Sequence, residues 1–310
     1  MTRKIVFVIP PLVELLDLAG PVQVFREASL QGIDIDVGFY ALEKQPVSAV
    51  GLPFGKISNY KKAELNAGDY VFIPGFYFEG LKRRPHVEKP FFKWLRNCSD
   101  QHVNICAVCN AAFILGSAGL LDHKECTTHW RSTDLLKSMF PQAQIVTNVL
   151  FVKSMNIYTS AGISSGIDMA LSIIEEWKGP LIANNVSRAL LIYYRRDARH
   201  SQSNIYLDYR NHLNPKIHEL QDYMISHLNQ HLTIEKMADL INSSVRNLSR
   251  IFKEASGITI HDYLTQLRVE KAVTLRNNPT YTITKIAAEC GFRSARQLQR
   301  ILRKYSQHEK

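Results

Sequence analysis

Short, wholly apolar runs separated by amphipathic stretches fill the first two thirds of the chain. Lys4–Pro10 (KIVFVIP), Asp69–Pro74 (DYVFIP) and Asn104–Val108 (NICAV) hold too little polarity for half-exposed strands. They read as strands buried on both faces of a parallel sheet. Ile33–Ala41 alternates and reads as another strand, and Ile145–Val146, Val149–Val152 and Ile157–Thr159 as shorter ones. Between them the spacing predicts helices from Leu16 to about Leu30, and over Lys89–Cys98, Ala111–Leu121, Ile163–Trp177 and Leu181–Tyr194. In the first helix Asp17 falls near the cap and Pro21 in the first turn. Strands alternating with helices imply an α/β domain, a mostly parallel sheet covered on both faces. Residues 195–214 are polar and lack a period, and Pro215 opens a helical region. The expected organisation is a first domain over 1–195, a linker over 196–214 and an all-α domain over 215–310.

The helical region contains a repeat. TIEKMADLINSSVRNLSRIFK (233–253) recurs in outline as TITKIAAECGFRSARQLQRILRK (282–304), each copy a short helix, a tight turn and a second helix. Thr233 and Ala238 align with Thr282 and Ala287 at an offset of 49, whereas Arg246 and Arg250 align with Arg296 and Arg300 at 50. The second turn is therefore one residue longer. Ile234, Met237, Ala238 and Ile241 make one buried stripe. Ser243 or Ser294 is placed to cap the next helix. There Leu248, Ile251 and Phe252 face inward, and Arg246, Asn247, Ser249 and Arg250 face out. Such a unit sets its second helix into the DNA major groove, where the planar Arg fork bonds a guanine edge or a phosphate. A solvated helical face is the plainer alternative, weakened because both copies carry Arg at the same outward positions.

Between the copies, Tyr263, Leu264, Leu267, Val269, Ala272, Val273 and Leu275 predict one long helix that Asn277, Asn278 and Pro279 stop. The pieces RIFKEASG, LRVEKA and ITKIAAECGF resemble the AraC/XylS family of transcriptional regulators over roughly 213–310. The resemblance implies two reading heads held by the connecting helix. Base contacts are then expected from Arg246, Ser249 and Arg250, and from Arg296, Gln299 and Arg300, with flanking contacts from Asn247 and Gln297. It departs from the family in two places: Ile260 stands where Pro is usual, and the chain stops at KYSQHEK without the segment that normally supports the last helix. A weaker contribution from the second reading helix is therefore expected.

Composition sharpens this picture only in part. Apolar residues make up 45% and charged residues 21% of 310, ordinary for a soluble chain, and no apolar run reaches the length of a membrane span. With no signal peptide, a cytoplasmic location is expected. Residues 200–310 hold 16 Lys+Arg against 10 Asp+Glu, and 285–310 hold 7 against 2, a balance that favours phosphate contact. Five cysteines without an export signal argue against a disulfide framework. Cys106 and Cys109 have CxxC spacing but no second pair for zinc, so neither metal nor cofactor is expected.

The chemistry concentrates at strand ends, where open sheets bind ligands. ICAVCNAAFILGSAGLL reads as strand, sharp turn and helix, the layout of a nucleophile elbow at Cys109, where backbone N–H groups are expected to lower a thiol pKa. Asp17 follows the first strand and Gly75 follows DYVFIP. A plain buried cysteine and a simple Asp17 helix cap are the alternatives. Phe76-Tyr77-Phe78, with Trp130 beside His129, offers an aromatic face for a cation or else fills the core or a dimer interface. Asp168 reads as structural.

Cys109 through GLLDHKECTTHW, with LLDLAGPVQVF and SAGISSGIDMAL, resembles the ThiJ/PfpI superfamily, the class I glutamine amidotransferase-like fold. More narrowly it is similar to the GlxA-type regulators that join this domain to an AraC-type one. The resemblance implies Cys109 at the elbow and Asp17 at the carboxylate position. Asn110 stands where the peptidases carry His and Asn110-Ala111 where GlxA-type proteins have Thr-Gly, which weakens the case for turnover. The candidate ligand-binding residues are Asp17, Gly75, Phe76, Cys109, Asn110, His129 and Trp130, with no catalytic assignment. The leading expectation is a regulator sensing a small metabolite, amino-acid-derived or quaternary ammonium. A cysteine-dependent hydrolase or hydratase fused to a DNA-binding domain and an architectural DNA binder without ligand stand as competitors. The partners implied are double-stranded DNA, a small-molecule effector, a second copy pairing through the N-terminal domain, and RNA polymerase.

Overall fold

The buried runs become one sheet in a computed structural model, which describes residues 2–77, 89–162, 164–192, 196, 198, 202, 205–276 and 281–308. The chain divides into two compact units, Met1–Gln202 and Ser203–Lys310. The first unit's strands are β1 (Arg3–Ile9), β2 (Ile35–Ala41), β3 (Ser58–Asn59), β4 (Tyr70–Ile73), β5 (Asn104–Val108), β6 (Glu125–Cys126), β7 (Gln144–Ile145), β8 (Phe151–Ser154) and β9 (Ile157–Ser160). Seven of them form a sheet in the order β3-β2-β1-β4-β5-β9-β8, and β6 and β7 pair separately. Every ladder is parallel except β8 on β9.

Alternation explains why the runs are apolar throughout. Ile5, Phe7 and Ile9 of β1 join Phe72 of β4 and Val108 of β5 in one core, while Val6 and Val8 join Val71, Ile73 and Ala107 in the other. Successive side chains point to opposite faces, and both faces are covered. Helices α1 (Leu15–Leu30), α5 (Ser165–Lys178) and α6 (Pro180–Ala189) supply the first core, and α2 (Lys89–Asp100), α3 (Ala112–Ser117) and α4 (Thr133–Met139) the second.

Three boundaries depart from the sequence pattern. Glu14, not Asp17, is the N-cap of α1, so Asp17 sits inside the first turn and Pro21 lies in the helix interior. The expected helix over Ala111–Leu121 is a single 3-10 turn, Cys109–Ala111, followed by the short α3, because Gly119 at φ +72° turns the chain away. Helix α4 and strands β3 and β6 had too few residues to show a period. The helix expected over Leu181–Tyr194 ends at Ala189, because the chain turns at Leu190 and Leu191, the latter at φ +55°. Ile163, Tyr194, Asn277, Asn278 and Pro279 lie outside the described residues.

The second unit is built from α7 (Ile205–Asp208), α8 (Pro215–Ser226), α9 (Ile234–Leu240), α10 (Val245–Ser256), α11 (Ile260–Arg276), α12 (Ile283–Glu289) and α13 (Ala295–His308). Helix α7 falls inside the expected linker, and Ile205 is buried in the first of two small cores. That core takes Met237, Leu248, Phe252, Tyr263 and Leu267; the second takes Ala272, Ile286, Phe292 and Leu298. Helix α11 thus gives its first half to one core and its second half to the other, although Val273, expected to be inward, is 40% exposed.

The caps account for the repeat's offset. Thr233 and Thr282 each accept the backbone N–H three residues on, as do Ser244 and Ser294. Ser244, rather than Ser243, is therefore the first unit's cap. The turns run from Asn242, at φ +52°, to Ser244 and from Gly291, at φ +72°, to Ser294, which puts the extra residue after the left-handed position. Any side chain at Gly291 would overlap the Leu228 carbonyl. Arg268, midway along α11, donates from Nε to that same carbonyl (3.1 Å) and from Nη2 to the carbonyl of Gln230 (2.8 Å), tying the connecting helix to the end of α8.

Candidate functional site

Four chain segments converge at the carboxyl ends of β1, β4, β5 and β9, bringing Asp17, Gly75, Cys109 and Gly162 together. Cys109 leaves β5 at φ +58°, a strained left-handed conformation for a residue with a Cβ. Its neighbours must be glycine. A Cβ on Gly75 would overlap the Asp17 carboxylate and lie 2.9 Å from Cys109 Cβ, and one on Gly162, itself at φ +104°, would lie 2.5 Å from Cys109 Cβ and Sγ. Asp17 is buried beside the thiol. Gly75 is marked in the sequence by its strand end, whereas Gly162, within SAGISSG, carries no local signal of its place at the elbow.

The thiol pKa departs from expectation in sign. It is pushed up to about 12, first by burial, then by the Asp17 carboxylate, with Glu14 adding and a backbone hydrogen bond at Asn110 opposing. The helix N-terminus was expected to dominate, but α3 is one and a half turns long and two acids face the sulfur. Alkylation of Cys109 by iodoacetamide should therefore rise about tenfold per pH unit from pH 7 to 10, since the thiolate is the nucleophile. A rate already level by pH 8 would show a depressed thiol instead. The other four cysteines are buried, so the reaction reports this one.

The remaining candidates take different places. Asn110 spends its amide on main chain: its Oδ1 accepts from the Phe76 N–H (2.9 Å) and its Nδ2 donates to the Phe76 carbonyl. It fixes the Gly75–Phe76 turn. The Phe76 ring is buried in the core, not presented as an aromatic face, and Phe78 lies outside the described residues. Trp130 is 59% exposed, stacks on His129 and is covered by the Arg131 guanidinium at 4.9 Å, so a cation already occupies it. His129 Nδ1 accepts from the Arg131 N–H (3.3 Å), and burial and Arg131 lower the ring's pKa, which leaves it neutral at pH 7. The neighbouring Thr128 hydroxyl donates to the Cys109 carbonyl (3.0 Å), so this segment forms one wall of the elbow. Asp168 is buried and paired with Arg196. Among the described residues, no group of three His, Cys, Asp or Glu side chains is placed to hold a metal.

On the second unit Arg246, Ser249 and Arg250 share one exposed face of α10, opposite buried Leu248 and Phe252. Arg296, Gln299 and Arg300 repeat that face on α13, and half-buried Gln297 instead accepts from the Arg293 N–H (2.8 Å). Arg250 is already engaged: Nη1 donates to both Glu254 oxygens (2.8 and 2.7 Å) and Nη2 to Asn247 Oδ1 (2.9 Å). Asn247 in turn donates to Ser243 Oγ (2.9 Å). Glu254, unmarked by the repeat, pre-orients the fork yet opposes a phosphate. An exposed pair of this kind is worth about 1 kcal/mol or less. Glu254→Gln should therefore leave stability nearly unchanged and strengthen binding to any duplex about threefold at 0.1 M salt; weaker binding would show that orientation matters more than charge.

Residues 3–176 match the DJ-1/PfpI family, and residues 237–308 match a helix-turn-helix domain. The chain is 27% identical over 239 residues to the HTH-type transcriptional regulator CdhR of Pseudomonas aeruginosa, covering 77% of this chain and 70% of that protein. It is 32% identical over 181 residues to the isonitrile hydratase of Pseudomonas putida, covering 58% of this chain and 74% of that one. The chain spans about two thirds of the length of the curated regulators it matches. The crystal structure of Drosophila melanogaster DJ-1beta superposes with a TM-score of 0.53 at 21% identity, over 63% of this chain and all of that one, which establishes the fold. Strand order, elbow, paired reading helices and matched families agree: the chain belongs to the DJ-1/PfpI family and carries an AraC-type helix-turn-helix domain after it.

Proposed function

We propose that the protein is a sequence-specific DNA-binding transcriptional regulator whose first unit senses a small metabolite at the Cys109–Asp17 elbow. The observation that carries this is the elbow itself, which keeps its strained backbone and glycine walls while its thiol is held protonated. A protonated thiol beside a carboxylate makes a poor nucleophile and a serviceable binding surface. The organisation supporting the reading is a sensor over 1–195, a connecting stretch over 196–214 and a DNA-binding domain over 215–310, acting in the cytoplasm without a cofactor. Contact residues are Asp17, Cys109 and His129, with Gly75 and Asn110 shaping the turn; Phe76 supports them from the core, and Trp130 borders them. On DNA the contacts are Arg246, Asn247, Ser249, Arg250, Arg296, Gln297, Gln299 and Arg300.

The effector class is amino-acid-derived or quaternary ammonium, with recognition resting on the acid pair Asp17 and Glu14 and not on an aromatic cage. Titration calorimetry with glycine betaine, carnitine and L-arginine should give heat for at least one, and Asp17→Asn should weaken it at least tenfold. Silence from all three would overturn this effector class. A second reading, cysteine-dependent hydration or hydrolysis, is favoured by the likeness to isonitrile hydratase and by the buried Asp17 beside Cys109. Turnover of an isonitrile by the purified protein, abolished in Cys109→Ser, would establish it.

A further inference from the structure

The two cores of the second unit meet along α11. Leu267 is buried in the first core and Val269 packs on the second, so Arg268 stands where the helix changes sides. Leu228, just past the end of α8, is buried in the first core as well. Its carbonyl accepts from Arg268 Nε (3.1 Å), and the Gln230 carbonyl accepts from Nη2 (2.8 Å). Both acceptors are main chain, so these bonds hold only while the backbone after α8 keeps its place beside α11.

The second head reaches the same carbonyl. Gly291 opens its turn between Cys290 and Phe292, both buried in the second core. A Cβ on Gly291 would overlap the Leu228 carbonyl oxygen and lie 2.8 Å from Arg268 Nη2. The conformation of the turn does not by itself demand glycine. Asn242 holds the matching position of the first copy, also left-handed at φ +52°, and carries a side chain. What sets glycine at 291 is the close approach. A connecting helix fixes how far apart two heads stand; Arg268 and Gly291, meeting at one carbonyl to the side of α11, also fix how they are turned about it.

We propose that Arg268 is a positioning residue for DNA recognition: with Gly291 it locks the two reading helices at one separation and one angle, and so selects operators by the spacing of their half-sites. This rests on the reading of α10 and α13 as the helices that enter the groove. Two heads on one face of a duplex stand about one helical turn, or about 10 base pairs, apart. One added base pair moves the second half-site about 3.4 Å along the duplex and about 35° around it. A locked pair cannot follow that shift; a loosened pair can.

The test uses the full chain and a duplex selected from a random library, its two half-sites mapped by the base pairs at which Arg250→Ala and Arg300→Ala lose discrimination. One base pair is then inserted or removed between the half-sites. The wild type should lose at least tenfold in affinity at either new spacing. Arg268→Met, which keeps the stem and loses the donors, should lose less than threefold. Gly291→Ala, which pushes the turn off the Leu228 carbonyl, should flatten the spacing profile in the same way. Arg268→Lys, with one ammonium for two carbonyls, should restore part of the penalty. Gly257→Ala is the control: it strains the left-handed cap of α10, at φ +75°, with nothing within 4 Å of the new Cβ. It should lower the melting temperature and keep the wild-type profile. Melting temperature also shows whether each variant is folded, and Gly291→Ala decides should Arg268→Met unfold. A variant profile that parallels the wild type, including equal weakening at every spacing, would overturn the joint and leave the DNA-binding reading standing. So would a wild type indifferent to spacing. Enrichment of no duplex would overturn both.

Discussion

Gly162→Ala should be the most damaging single methyl in the first unit. At φ +104° a side chain is strained by about 1–2 kcal/mol, and the new Cβ would lie 2.5 Å from Cys109 Cβ and Sγ and 3.0 Å from its Cα. Neither atom can yield, because Cys109 is itself held at φ +58° between β5 and its 3-10 turn. Overpacking of this kind costs about 1–3 kcal/mol more, so the expected total is about 3 kcal/mol. For a domain of this size that is a fall of roughly 10 °C in melting temperature. Gly32→Ala is the internal control: Gly32 also has a positive φ, +86°, but nothing lies within 4 Å of its Cβ position. Its loss should be near 1 kcal/mol. Equal losses at the two positions, measured by thermal unfolding, would show that the elbow is looser than its geometry implies. Cys109→Ala should rescue Gly162→Ala only partly, since it removes Sγ and leaves Cβ.

The largest effect on DNA binding is expected from Arg250→Ala combined with Arg300→Ala. Each occupies the same outward position on its reading helix, and each bidentate contact with a base is worth about 1–3 kcal/mol. The two helices lie in separate cores, so the losses should add to about 2–6 kcal/mol, or roughly thirtyfold to twenty-five-thousandfold. Affinity for a selected duplex should fall by that factor while affinity for random DNA falls far less. A parallel loss on both, with a salt slope reduced by about one per arginine, would make them phosphate contacts. Arg250→Ala alone should overstate the contact, because it also leaves the Glu254 charge unpaired near the DNA; the double variant with Glu254→Gln separates the two effects.

Much of the second unit was legible because its determinants are local. Thr233, Ser294 and Thr282 cap helices through atoms three residues away, and Leu248 and Phe252 share a face by helical spacing alone. The one-residue shift between the repeats could be counted directly and reappears as the longer turn after Gly291. Ser243 against Ser244 was the limit of that resolution, since both are capping types and only backbone geometry selects one. In the first unit the strands were equally plain, as both-face burial demands continuous apolar runs. Helix α4, seven residues long, was not.

What the sequence by itself determined is therefore the two-domain plan, the parallel sheet, the elbow at Cys109 and the outward arginines, each a consequence of periodicity, turn chemistry or a short motif. What only the tertiary structure decided is the chemical state of the site. Cys109 meets Asp17 and Gly162, 92 residues before it and 53 after it, and their proximity together with burial raises the thiol that a helix start alone would lower. Phe76 enters the core and Arg131 covers Trp130, so neither ring presents an open face to a ligand. Glu254 occupies Arg250, Arg196 pairs with buried Asp168, and Gln202 donates to the carbonyls of Thr128 and Val149, contacts that no local pattern announces. Charge, burial and hydrogen bonding act through space, and the pattern along a chain records only those neighbours that are also neighbours in sequence.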